Sequence, residues 1–126
     1  MPRQVITTAG APGSPLFSQA VRAGSLVFVS GTTGTDPSTG RMAGDGIQEQ
    51  TRQALANCEA ILAAAGGSLD DVVEVGVLLA DPDDFAGMNE EWGRWFPSDP
   101  PARYAARLGP VVPGLLVSIR MTASLG

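Results

Sequence analysis

Histidine and lysine are both missing from this chain of 126 residues, and cysteine occurs once, at Cys58. Each absence removes a class of chemistry. Zinc and non-haem iron sites draw mainly on His and Cys, and Ser-His-Asp or Cys-His catalysis needs an imidazole base, so neither a metal centre nor such a triad is expected. A single cysteine forms no internal disulfide. Ala54, Leu55, Ile61 and Leu62 surround Cys58 at helical spacing, which reads it as a small core residue rather than a nucleophile. Charge is also scarce: charged residues are 17%, the formal net charge is −5, and all eight basic residues are arginine. That leaves no basic stripe for a phosphate backbone and argues against a nucleic-acid partner. No apolar run approaches the ~18–20 residues of a membrane span, and the N-terminus lacks a charged segment leading into an apolar one. A cytoplasmic protein that does not engage a membrane is expected. Gly31-Thr32-Thr33-Gly34-Thr35 has neither the lysine nor the glycine spacing of a nucleotide loop, so no nucleotide cofactor is indicated.

What the chain does have is apolar surface. Residues 1–126 are about one domain long, and 44% of them are apolar, which fits a protein that covers part of its surface by self-association. Pro100-Pro101-Ala102-Arg103-Tyr104 places an arginine two residues past a rigid proline pair, at the start of a short apolar run. The prolines fix φ and remove two backbone donors, while a guanidinium offers five donors in a planar fork that grips a carboxylate through two parallel hydrogen bonds. Arg103 is the candidate for recognising a small organic acid; a solvated strand-start residue is the alternative. Arg107, four residues on, shares its strand face and is read as a second pocket arginine or as an interface or surface residue.

The pattern alternates strands with two helices. Residues 3–8 read as an edge strand, and a Gly/Pro-rich loop leads to 16–21, which with 26–31 forms a hairpin around Gly24. Asp36-Pro37-Ser38-Thr39-Gly40 is a loop. Residues 47–65 keep a helical period, with Gly66-Gly67 at the expected C-cap. The nearly continuous apolar run 72–80 reads as a strand buried on both faces. Asp81-Pro82-Asp83-Asp84 supplies N-cap candidates for a helix over 85–96, whose stripe of Phe85, Met88, Trp92 and Trp95 or Phe96 reads as core. Strands over 102–108 and 115–124 follow, the last alternating Val117, Ile119 and Met121 against Ser118, Arg120 and Thr122. The order β-β-β-α-β-α-β-β predicts an α+β domain, a mixed β-sheet with two helices on one face. The other face needs a partner, and packing of sheets about a symmetry axis would place clefts between subunits.

Several collinear segments resemble the Rid family of reactive intermediate deaminases, also called the YjgF family. They are Phe17-Ser18-Gln19-Ala20-Val21, Val29-Ser30-Gly31, Asp36-Pro37-Ser38-Thr39-Gly40, Gln50-Thr51-Arg52-Gln53, Gly67-Ser68-Leu69-Asp70-Asp71-Val72, Phe85-Ala86-Gly87-Met88-Asn89-Glu90, Phe96-Pro97 and Pro100-Pro101-Ala102-Arg103. The resemblance implies a chorismate-mutase-like subunit and a homotrimer with three inter-subunit clefts. It implies cofactor-free hydrolysis of short-lived enamines and imines of the 2-aminoacrylate type to 2-keto acids and ammonia. Carried over, Arg103 binds the substrate carboxylate and Ser30-Gly31 line the cleft. Asn89 either bonds substrate or caps a neighbouring loop. Phe17 keeps an aromatic wall where many members have tyrosine, and Ala105, in place of a cysteine or small residue, offers only backbone.

The resemblance also implies a departure in Leu116-Val117-Ser118-Ile119-Arg120, where Arg120 falls opposite a family glutamate that helps water attack the imine carbon. Arginine accepts no proton and cannot be a general base. Three readings follow. Hydrolysis persists through positioning of an intrinsically electrophilic imine; two arginines select a different small anion, such as a dicarboxylate, in a non-deaminase protein of the same fold; or Arg120 pairs with an acidic side chain and the cleft only binds.

Overall fold

The computed structural model describes residues 2–126. β1 (Gln4–Ile6), β2 (Ala20–Ala23) and β3 (Leu26–Thr33) make an antiparallel meander whose second turn carries Gly24. α1 (Ile47–Ala64), β4 (Val72–Leu79), α2 (Phe85–Trp95), β5 (Ala102–Arg107) and β6 (Val117–Ser124) follow. All six strands join one sheet in the order β1-β2-β3-β6-β4-β5. Only β4 and β5 are parallel neighbours, and parallel neighbours need a crossover, here α2. β6 slots antiparallel between β3 and β4, so α1 likewise connects two strands running the same way. The element order and the α+β architecture agree with the sequence expectation.

Strand alternation decides what the helices cover. Val27 and Val29 of β3, Val75, Val77 and Leu79 of β4, and Val117, Ile119, Met121 and Ala123 of β6 are buried against Leu55, Cys58, Ile61 and Leu62 of α1 and Met88 and Trp92 of α2. Each large side chain buried there contributes about 1.5–3 kcal/mol. α1 ends where expected: Gly66 takes φ +89, the left-handed conformation that closes a helix, and Gly67 N–H donates to Leu62 O at 2.8 Å. Asp81 caps a short 3-10 turn, Pro82–Asp84, that leads into α2, and its carboxylate accepts from Asp83 N–H at 2.9 Å.

Two expectations are corrected. Residues 16–19 are loop, and β2 begins only at Ala20; Leu16 and Phe17 are exposed, so no core draws them into the sheet. β4 is covered on one face, with Val73 and Glu74 exposed, because nothing in this chain packs on the second face. That bare face presents Val5, Phe28 and Tyr104, which are 51%, 43% and 46% exposed. Gly76 matters here because it has no side chain: Tyr104 lies across it in the space that a Cβ would fill. No described helix is long and apolar enough to cross a membrane.

Candidate functional site

Arg103 stands at the outer end of a row that runs across the sheet through Val29, Met121 and Val75. The other three are buried under the helices, and so a residue in this register on β5 faces α2 rather than solvent. α2 meets it with Phe85, Met88 and Trp92, which share one helix face at i, i+3 and i+7. The guanidinium carbon lies 4.9 Å from the centre of a Trp92 ring and 5.7 Å from that of Phe85. Nη1 points at Met88 Sδ at 3.8 Å. Burial pushes the pKa of Arg103 below the ordinary arginine value, although an arginine in a protein keeps its charge. Among the described residues Arg103 has no carboxylate partner, whereas Arg52, Arg94 and Arg120 each have one. A half-desolvated cation with most of its N–H donors unspent has the chemistry to receive an anion.

The rest of β5 extends this patch. Ala105 and Arg107, themselves exposed, alternate with Tyr104 and Ala106 and pair with buried Val77 and Leu79 of β4. Arg103 and Arg107 therefore share a strand face, as their spacing predicted. An open groove of about 380 Å3 lies there, lined by Leu79, Pro82, Phe85, Ala105, Ala106 and Arg107. Asn89, half-buried, lies one turn along α2 from Phe85.

Phe17, Ser30 and Gly31 lie elsewhere, together with Gln19 and Thr33, around a hollow of about 270 Å3. Its wall is rich in hydroxyls. Ser30 Oγ donates to Ser18 O at 2.6 Å, Thr32 Oγ1 donates to Ser30 O at 2.7 Å, and the Thr33 and Thr35 hydroxyls are 2.8 Å apart. A Cβ at Gly31 would come within 2.9 Å of Ser118 Oγ, so Ser118 is the β6 side chain beside Gly31. The half-exposed wall at Phe17 depends on Gln19, whose buried amide donates to Thr8, Ala11 and Pro12 carbonyls at 2.9–3.0 Å and accepts from Thr8 N–H at 2.7 Å.

The residues expected to form one site thus fall into two groups within a single chain. Ser30 and Gly31 on β3 and Arg103 on β5 are separated by β6 and β4, three inter-strand steps or ~14 Å. Arg120 joins neither group. Its Nη1 donates to Glu74 Oε1 at 3.0 Å and its Nη2 to Thr122 Oγ1 at 2.9 Å, on the bare face of the sheet. Burial alone would lower its pKa, but Glu74 and Tyr104 together hold it above the ordinary arginine value.

Sequence reasoning read Trp92 and Met88 purely as core, and they are; it missed that the same stripe also faces a cation. Phe85, Met88 and Trp92 opposite Arg103 become visible only once β5 is known to pair with β4 beside α2. The run Thr32, Thr33 and Thr35 held a signal, a cluster of hydroxyls at a strand end, that went unused.

Residues 8–125 match the family described as Endoribonuclease L-PSP. The chain is 42% identical over 123 residues to a RutC family protein of Pyrococcus horikoshii, covering 96% of this chain and 97% of that one. It is 41% identical over 125 residues to human 2-iminobutanoate/2-iminopropanoate deaminase, covering 98% and 91%. Among solved structures, RidA of an Antarctic Psychrobacter superposes with a TM-score of 0.90 at 38% identity, covering 96% of this chain and 98% of that one. Escherichia coli TdcF with bound serine superposes with a TM-score of 0.89 at 32% identity, again covering 96% and 98%.

Proposed function

This chain belongs to the Rid/YjgF family, whose family description is Endoribonuclease L-PSP, and from that premise we propose that it hydrolyses reactive 2-imino or enamine acids to 2-keto acids and ammonia without a cofactor. The observation that carries the reading is the unpaired, half-buried guanidinium of Arg103, a receptor for one carboxylate. Held by two parallel hydrogen bonds, the carboxylate would fix the adjacent imine carbon. An enamine first takes a proton on carbon to become the imine; water then adds to the imine carbon with one of its protons passing to nitrogen, and as the C–N bond breaks the proton of the new hydroxyl follows, so that ammonia departs and the keto acid remains. A relative named for 2-iminobutanoate and 2-iminopropanoate, and a neighbour solved with serine, support a small amino-acid-derived carboxylate as the ligand.

The site is completed between copies. Phe17, Ser30 and Gly31 would come from one subunit and Arg103, Asn89 and Ala105 from the next, which brings together two groups that one chain holds ~14 Å apart. A homotrimer packed through the bare face around Val5, Phe28 and Tyr104 would also bury those side chains. Arg120, tied to Glu74, is not the base; Ser118 beside Gly31 is the side chain better placed to hold the water. RNA cleavage, which the family description names, finds little support in a protein of net charge −5 that has neither lysine nor histidine.

The test is hydrolysis of 2-iminopropanoate generated in situ by an amino acid oxidase. Pyruvate formation accelerates with wild-type protein and falls about 10- to 100-fold with Arg103→Ala, the worth of a charged hydrogen-bond pair. No acceleration by the wild type rejects the reading. Dicarboxylate binding without turnover would replace it with that of an anion-binding member of the same fold.

A further inference from the structure

We propose that Trp92 is the positioning residue for Arg103: its indole holds the guanidinium from one face, so that the donors not turned towards Met88 stay free and already oriented when a carboxylate arrives. This rests on Arg103 being the carboxylate-binding group. The chain contains its own contrast. Arg52 and Arg94 are held by Glu91, and Arg120 by Glu74, with distances of 2.7–3.2 Å. An arginine held in that way spends its N–H donors on the carboxylate that fixes it. Arg103 is fixed instead by a ring centre 4.9 Å away, with Phe85 at 5.7 Å on a neighbouring side and Met88 Sδ 3.8 Å from Nη1. Stacking takes the flat face and leaves the in-plane donors.

Trp92 can do this because it is itself closely packed. It is 8% exposed, and its ring packs on Phe96 with centroids 4.5 Å apart. A flexible side chain lying on a rigid plane has fewer rotamers to lose on binding, so the benefit appears as ligand affinity rather than as a faster chemical step. Leucine at this position would fill much of the space but present no π face; phenylalanine would present a smaller one.

The experiment measures Kd for pyruvate, the unreactive product, by ligand-observed NMR, and KM and kcat for 2-iminopropanoate. Trp92→Leu raises Kd and KM about tenfold, the range of a partly desolvated cation–π contact, while kcat stays within about threefold. Trp92→Phe restores both constants to within about threefold of wild type. A folded Trp92→Leu protein with unchanged Kd overturns the proposal, as does a Trp92→Phe protein as impaired as Trp92→Leu, since that would make bulk rather than the π face the cause. Should Trp92→Leu fail to fold, Phe85→Leu, on the more exposed side of the guanidinium, carries the test: a rise in Kd of about threefold supports the proposal and no change overturns it. Wild-type protein that binds no pyruvate and hydrolyses no imine overturns the deaminase reading itself, whereas active wild type with unaffected variants overturns only the role of Trp92.

Discussion

Arg120 donates to Glu74 at 3.0 Å across the bare face of the sheet, so the arginine that the family resemblance sets opposite a glutamate already has a carboxylate partner. Arg120→Glu therefore sets a carboxylate against Glu74 rather than supplying a base. Imine hydrolysis is expected not to rise, and the urea midpoint to fall by the equivalent of about 1 kcal/mol, the upper end for a half-exposed pair. A faster enzyme would show that the position reaches the reacting carbon.

Glu91 on α2 is buried and accepts from Arg52 of α1 at 3.2 Å, from Arg94 at 2.7 Å and from the Trp95 indole N–H at 3.0 Å. Burial raises the pKa of this carboxyl, but the bonds from Arg52, Trp95 and Arg94 outweigh it, and the net shift is downward. A depressed folded pKa stabilises above the unfolded value of ~4.3 and is lost as the pH falls through the folded pKa. Glu91→Gln is expected to lower stability by about 2 kcal/mol at pH 7. In urea titrations the gap between variant and wild type should narrow below ~pH 4.3. A gap that is constant with pH would refute the ionic account.

Gln19→Leu removes the side-chain bonds to Thr8, Ala11 and Pro12 that organise the loop carrying Phe17. The buried loop carbonyls then lose their partners, at a cost of about 1–3 kcal/mol for an unsatisfied group. Limited proteolysis should cut between residues 9 and 18 in the variant and spare the wild type. Equal resistance of the two would show that the loop is held by other contacts.

Cys58 is wholly buried, and burial pushes its thiol pKa up to about 12. Such a thiol carries almost no thiolate at neutral pH. Ellman's reagent should leave it unmodified in the native protein and react with one thiol per chain in guanidinium. Cys58→Ala should keep the turnover rate of the wild type. Rapid native labelling would place the thiol in reach of solvent.

Much of this was legible without coordinates. The two helices, the edge strand, the glycines that close α1 and the buried Cys58 follow from local periodicity and turn chemistry, which act over a few residues and are written where they act. Residues 16–19 read as strand because apolar Leu16 and Phe17 stand just before Ala20 and Val21; what decides against it is the Gln19 amide, whose partners are 7 to 11 residues away. Burial of β4 on both faces was misread for the opposite reason. An apolar run shows that a strand wants cover, whereas cover on a second face depends on a layer that this chain does not supply.

The sequence by itself determined the order of elements, the lack of any imidazole side chain, and the presence of an arginine just past a proline pair. Local propensity and composition suffice for those. Only the tertiary structure decided which of two strand arginines meets a carboxylate: Arg103 and Arg120 carry the same group, but strand pairing sets one on the indole of Trp92 and the other against Glu74. Whether a cation's donors are spent depends on contacts between residues far apart in the chain, and such contacts exist only once the sheet has formed.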